Sequence, residues 1–148
     1  MPTRIAMAGY SGTPLPKKLG MKPGNRVLLW KAPENFTTLL GPATAELSFT
    51  RQLTGKEAFD IIMLFVTVQE DLAQFFLKLA ARLSAAGGLW VAWPKKASGV
   101  ATDLTEDVIR EICLPTGLVD NKVCAIDEVW SGLRFVIRVQ DRPKRKNR

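Results

Sequence analysis

FDIIMLFVTVQEDLAQFFLKLAARLSAAGGLWVAWP, residues 59–94, changes its hydrophobic period twice. FDIIMLFV (59–66) is almost unbroken apolar, as a strand buried on both faces of a parallel sheet requires. Leu72, Phe75, Phe76, Leu79 and Leu83 then follow at i, i+3, i+4, i+7 and i+11, one stripe of an amphipathic helix. Thr67 and Glu70 have the spacing of a capping box at its start, and Gly87-Gly88 predict its end. LWVAWP (89–94) reads as the next strand, closed by Pro94. A strand, a crossover helix and a second strand make a parallel pair.

The flanking segments extend this unit. RVLLW (26–30), between Pro23-Gly24 and Pro33, predicts a buried strand. PENFTTLL (33–40) predicts a short helix with Pro33 at its first position, and AELSFTR (45–51) a second strand. Downstream, a helix is expected over 104–114, with Asp103 as N-cap, Glu106 three residues on, and a buried stripe of Leu104, Val108 and Ile112. KVCAIDE (122–128) and LRFVIRV (133–139) flank Trp130-Ser131-Gly132, the pattern of an antiparallel hairpin. The expected fold is a three-layer α/β sandwich, mainly parallel, with a C-terminal antiparallel hairpin. Residues 1–25, rich in Gly, Pro and Lys, form an irregular lead-in; 26–139 form a single domain; 140–148 are a basic tail. No internal repeat is evident.

Composition excludes several chemistries. The 148 residues are 47% hydrophobic and 24% charged, ordinary for one globular domain that folds without a disulfide or metal. Histidine is absent, which removes the commonest general base and any Ser-His or Cys-His nucleophile system. Cys113 and Cys124 sit among apolar residues and read as reduced packing cysteines. Of the net charge of +7, much resides in DRPKRKNR at the C-terminus, with five basic side chains and one acidic. Such a tail is a solvated end or, alternatively, a phosphate-binding arm without base readout. The N-terminal residues lack the apolar core of a signal peptide, and AFDIIMLFVTV is too short to span a bilayer. The expected location is cytoplasmic, with no membrane partner.

Ligands of such sheets bind outside the carboxyl ends of the strands. WPKKASGVATDLTEDV (93–108) falls at that edge. Lys95, Lys96, Ser98 and Thr102, with Lys31 and Asn35 after the first strand, are candidate ligands for an anion. Asp103, Glu106 and Asp107 argue the other way, for a capped helix beside two solvated lysines. Tyr10, Ser11, Thr13, Lys17 and Lys18 form a candidate lid, or simply a lead-in packed on the sheet; no phosphate-binding Gly-Lys-Ser/Thr is present among them. Trp30, Trp90, Trp93 and Trp130 read as packing residues, and Asp127 and Glu128, adjacent in a strand, as pointing to opposite faces. No catalytic residue, metal ligand set or cofactor is assigned.

LGMKPGNRVLLWKAPENF, LAARLSAAGGLWVAW and GLVDNKVCAIDEVWSGLRFVIR resemble segments of Rossmann-like, S-adenosylmethionine-dependent methyltransferases. That family commonly runs Leu-x-x-x-Pro-Gly-x-Arg-Val-Leu-Asp-Leu-Gly-x-Gly-x-Gly. Here Leu29 replaces the acid, and Lys31, Pro33 and Asn35 replace the three glycines. Phe49-Thr50-Arg51 stand where the family has an acid for the ribose hydroxyls. YSGTPLPKKLG, WVAWPKKASGVATDLTEDV and VCAIDEVWSGLRFV are also similar, along essentially the whole chain, to an uncharacterised bacterial family, domain-of-unknown-function family 3052. That family commonly has Gly-Ala-Pro-x-Gly-Phe where this chain has Lys31-Ala-Pro-Glu-Asn-Phe36. The expectation is a non-catalytic binding or regulatory module on a degenerate methyltransferase-like scaffold, recognising a small anionic ligand or a protein partner. Two alternatives stand beside it: an enzyme of another class holding an anionic substrate through Lys31, Lys95 or Lys96, and nucleic-acid contact through the tail.

Overall fold

Alternate residues of the expected strands face two different layers in the computed structural model, which describes residues 13–142. The strands are β1 (Arg26–Trp30), β2 (Ser48–Thr50), β3 (Phe59–Phe65), β4 (Leu83–Pro94), β5 (Leu118–Ala125) and β6 (Trp130–Ile137). The helices are α1 (Leu15–Lys18), α2 (Phe36–Leu40), α3 (Gln69–Ala80) and α4 (Glu106–Cys113). One six-stranded sheet runs β2-β1-β3-β4-β6-β5. β2, β1, β3 and β4 are parallel neighbours; β6 is antiparallel to both β4 and β5.

On one face Leu28, Ile62, Leu64, Leu89 and Val91 pack with Leu72, Phe76 and Leu79 of α3 and Ile109 and Cys113 of α4. On the other face Leu29, Ile61, Met63, Phe65 and Trp90 pack with Leu19, Met21 and the α2 residues Phe36 and Leu40. Burying an apolar side chain of this size contributes about 1.5–3 kcal/mol. The α3 stripe, more than intrinsic propensity, therefore holds that helix against the sheet. The lead-in ends as part of this second layer, since Trp90 Nε1 donates to the Leu19 carbonyl at 3.0 Å.

Several local expectations change. α3 stops at Ala80, so Leu83 and Gly87-Gly88 belong to β4 and do not terminate the helix. The β3–β4 register jumps from Phe59↔Leu83 to Ile61↔Gly88, so residues 84–87 bulge opposite Asp60. The Thr67–Glu70 capping box does not form: the N-cap is Val68, with no side-chain cap bond of its own. α4 begins at Glu106 with Thr105 as its cap, Thr105 Oγ1 accepting from the Val108 N–H at 3.1 Å. Its fully buried residues are Ile109 and Cys113, with Val108 and Ile112 half-buried beside them. Pro33 lies before α2, its carbonyl accepting from the Phe36 N–H at 3.0 Å.

The hairpin shifts too. Trp130, Ser131 and Gly132 lie inside β6, and the turn is Ile126–Val129. Asp127 Oδ1 accepts from the Val129 and Trp130 N–H groups, both at 2.8 Å, so Asp127 shapes the turn and is not a strand residue. Gly132 has a packing reason: a Cβ there would lie 2.9 Å from Cε3 of Trp90.

Candidate functional site

The chain leaves β1 toward β2 on one side and then places β3 on the other, so the sheet's switch point lies between the carboxyl ends of β1 and β3. Lys31 opens this edge with φ 61°, a left-handed conformation that glycine adopts freely and a lysine holds at a cost of about 1–2 kcal/mol. Its Nζ stands 5.5 Å from the centroid of Phe75, which in turn packs on Trp30 at 5.4 Å. Arg51 Nη1 donates to the Ala32 carbonyl at 3.4 Å, tying the segment after β2 to the same loop. Asn35 is exposed and its carbonyl accepts from the Leu39 N–H at 3.2 Å. Next to it Phe36 meets Phe65 edge-on at 5.2 Å, and Phe65 meets Trp130 at 5.0 Å. These aromatic rings stand at the ends of three elements of the carboxyl edge.

The loop from β4 to α4 is organised by its own hydroxyls. Ser98 Oγ donates to the Lys95 carbonyl at 2.7 Å and accepts from the Val100 N–H at 3.1 Å. Thr102 Oγ1 donates to the Thr67 carbonyl at 2.5 Å and accepts from the Leu104 N–H at 3.1 Å. Asp103 reaches α3: its Oδ1 accepts from the Gln69 N–H at 2.8 Å, and its carbonyl accepts from Gln69 Nε2 at 3.0 Å. It therefore caps α3 across the edge and not α4, the helix it precedes. Local spacing predicts the nearer helix; the longer bond is visible only once β3 and β4 lie side by side.

Lys95 is half-buried and Lys96 exposed, and among the described residues neither ammonium group has a carboxylate partner. Lys96 and Thr102 line a recess of about 270 Å³ with Trp93, Leu104, Thr105 and Glu106. Glu106 is engaged by Arg110 at 2.5 Å, and Arg110 also bonds Asp120 at 3.0 Å. The Asp120 and Glu106 carboxylates raise the Arg110 pKa further, so the guanidinium stays charged. Of the carboxylates near α4, Asp103 is thus directed to α3 and Glu106 to Arg110.

Thr13, Lys17 and Lys18 lie beside β5, where they line a recess with Lys122 and Cys124. Lys18 Nζ donates to the Ala125 carbonyl at 3.2 Å, and Lys122 Nζ to the Lys18 carbonyl at 2.7 Å. β6 lies between this cluster and β4, and Ala125, which Lys18 contacts, is in register through Ser131 with Trp93, just before the loop of Lys95 and Lys96. Tyr10 and Ser11 lie outside the described residues. Both cysteines are free; burial pushes the Cys113 thiol up to about 12, and raises that of Cys124 against the opposing effect of Lys18 and Lys122. Among the described residues no three His, Cys, Asp or Glu side chains gather as metal ligands do, and no helix is long and apolar enough to cross a membrane.

No family model matches the sequence, and no curated protein does. Solved structures do match the fold. A TehB-like SAM-dependent methyltransferase from Corynebacterium glutamicum is similar at a TM-score of 0.54 and 11% identity, over 90% of this chain and 92% of that one. Magnesium protoporphyrin IX methyltransferase from Synechocystis gives 0.55 and 14%, over 78% and 71% of the two chains. A SAM-dependent methyltransferase from Aquifex aeolicus gives 0.55 and 12%, over 80% and 85%. The chain thus has the Rossmann-like α/β fold of SAM-dependent methyltransferases.

Its residues do not fit S-adenosylmethionine at the expected loop. Leu29 is buried in the core where the resemblance has an acid. Lys31 keeps the glycine-like backbone yet brings a full side chain, and Arg51 is turned onto the Ala32 carbonyl. Leu29 and Lys31 thus stand where the methyltransferases that the chain resembles have an acid and a glycine for the cofactor.

Proposed function

We propose that this chain is a binding or regulatory module built on a methyltransferase-type scaffold, one that carries out no methyl transfer and takes a small anionic ligand at the carboxyl edge of its sheet. The observation that carries this reading is Lys31 at φ 61°, a lysine holding the backbone geometry of a missing glycine, with Arg51 bound to the next residue. Non-glycine residues in such strained geometry concentrate at functional sites. The anionic preference rests on Lys95 and Lys96, two side chains without carboxylate partners among the described residues, of which Lys96 lines the recess between β4 and α4. Ser98 and Thr102 have a supporting role here, shaping the loop through backbone bonds. The same reading takes the chain as a cytoplasmic member of the uncharacterised bacterial family that its long segments resemble.

The test is thermal unfolding of the full chain with S-adenosylmethionine, its demethylated product, nucleotides, phosphate and small carboxylates. A ligand at about 100 times its Kd adds roughly 2.7 kcal/mol of stability, which moves the melting midpoint by several degrees. An anion shift that disappears in the Lys95→Gln/Lys96→Gln double variant supports the site. A clear shift with S-adenosylmethionine would overturn it and restore methyl transfer. Lack of any lysine-dependent anion shift would remove the small-ligand reading in favour of a protein partner.

A further inference from the structure

The amino-terminal edge of the sheet, opposite the carboxyl edge, contains an arginine whose surroundings are unusual. Arg134 projects from β6 on the same face as Trp90, its register partner on β4. Its guanidinium lies over Gly88: a Cβ at Gly88 would stand 2.3 Å from Nε and 2.8 Å from Cζ. A Cβ at Gly87 would stand 2.6 Å from the Asp60 carbonyl oxygen. The glycine pair that reads as a helix stop is therefore what makes room for Arg134 and for the close approach of β3.

The bulge at residues 84–87 opens the sheet beside this guanidinium. There a recess of about 390 Å³ is lined by Lys22, Asn25, Asp60, Ser84, Gly87 and Arg134. That volume falls in the range of small-molecule sites, about 300–1,000 Å³, and bulges recur next to functional sites because they re-aim side chains.

Arg134 is half-buried and has five N–H donors. Among the described residues its one hydrogen bond is long, from Nη1 to Asn121 Oδ1 at 3.4 Å, and no carboxylate pairs with it. Burial and the nearby charge of Arg142 both lower its pKa, the mark of a cation without a counter-charge. Lys22 adds a second cation to the rim. Asp60 is the carboxylate of the wall, and its Oδ2 already accepts from the Arg26 N–H at 2.8 Å. A planar guanidinium with open donors, held over Gly88 at the mouth of a recess, is matched by a planar or tetrahedral oxyanion in two-point contact.

We propose that Arg134, with Lys22, forms an oxyanion-binding site at the amino-terminal edge of the sheet, taking a small ligand through a carboxylate or phosphate group. This site is separate from the one at Lys95 and Lys96, and it stands whether or not that one binds a ligand.

Titration calorimetry of the full chain, at constant ionic strength in chloride, tests it with inorganic phosphate in one arm and citrate in the other. Binding in either arm identifies the preferred oxyanion. In the Lys95→Gln/Lys96→Gln background, which removes the carboxyl-edge anion site, Arg134→Gln is expected to weaken the remaining binding at least tenfold and Arg134→Lys to weaken it less. Asp60→Asn, which keeps an acceptor for the Arg26 N–H, is expected to tighten it severalfold; this variant keeps the proposal testable should Arg134→Gln fail to fold. Amide resonances of Gly87 and Gly88 should move during the titration. Absence of binding in both arms, or binding indifferent to both Arg134 and Asp60, overturns the proposal. A lysine double variant that binds neither anion places all the binding at the carboxyl edge and likewise overturns it.

Discussion

Asp103→Ala separates two readings of the loop between β4 and α4. In the structure Asp103 Oδ1 accepts from the first N–H of α3, that of Gln69, at 2.8 Å. Loss of an N-cap acceptor costs about 1 kcal/mol, range 0.5–2. The carboxylate also faces the positive end of α3, an exposed interaction of about 0.3–1 kcal/mol. Glu70 and Asp71 in the same first turn already satisfy that end in part, so the lower half of this range applies. The expected loss is about 1–1.5 kcal/mol by urea unfolding, or roughly 3–5 °C in the melting midpoint for a chain of this size. Asp103→Asn keeps the acceptor and should lose less than half as much. Amide hydrogen exchange locates the effect: protection should fall in the first turn of α3 and persist in α4, where Thr105 remains the cap. Frayed α4 amides with α3 unchanged would refute the assignment, as would unchanged stability.

Two further predictions follow from packing. Gly132→Ala brings a Cβ to 2.9 Å from Cε3 of Trp90 and 3.2 Å from Cδ1 of Ile126. Because Trp90 is fully buried and anchored to the Leu19 carbonyl, it has little room to yield. Overpacking of this kind costs about 1–3 kcal/mol; a urea midpoint equal to that of the parent chain would show that the strand tolerates the methyl. Cys113 controls part of the alkaline limb of stability. Its pKa rises from 9.0 when unfolded to about 12 when folded, through burial. Between those values the unfolded state has lost the proton and the folded state keeps it, so stability falls with rising pH by up to about 1.4 kcal/mol per unit. Below the lower value Cys113 adds no pH dependence. In Cys113→Ala the stability profile should be shallower over that window; parallel profiles would contradict the burial of the thiol.

Strand and helix types were legible because periodicity is a local property of the chain. RVLLW, FDIIMLFV and the Leu72-Phe76-Leu79 stripe identify themselves, and the topology they imply places Lys31, Lys95 and Lys96 along one edge. Element ends were less legible. Gly87-Gly88 has the local signature of a helix stop, but Ala80 ends α3 and the glycines serve Asp60 and Arg134 across the sheet. Trp130-Ser131-Gly132 has the signature of a turn, but Asp127 supplies the hydrogen bonds that make one.

That Lys31, Pro33 and Asn35 stand where the methyltransferases the chain resembles have glycines is a matter of residue identity, and the sequence alone determined it. The absence of histidine and the two-layer patterning of the central strands belong to the same category. Tertiary structure decided which partners those residues meet. Asp103 and Gln69 are 34 positions apart, and Lys122 and Lys18 are 104 apart, so no local window contains either bond. Arg134 in an alternating strand reads as an ordinary solvent-facing charge. Its half-buried position over Gly88, beside the bulge where the β3–β4 register slips and with no carboxylate paired to it among the described residues, is set by the tertiary structure. A hydrogen-bond donor is recognisable from its chemistry; whether an acceptor reaches it depends on register, which the whole sheet sets.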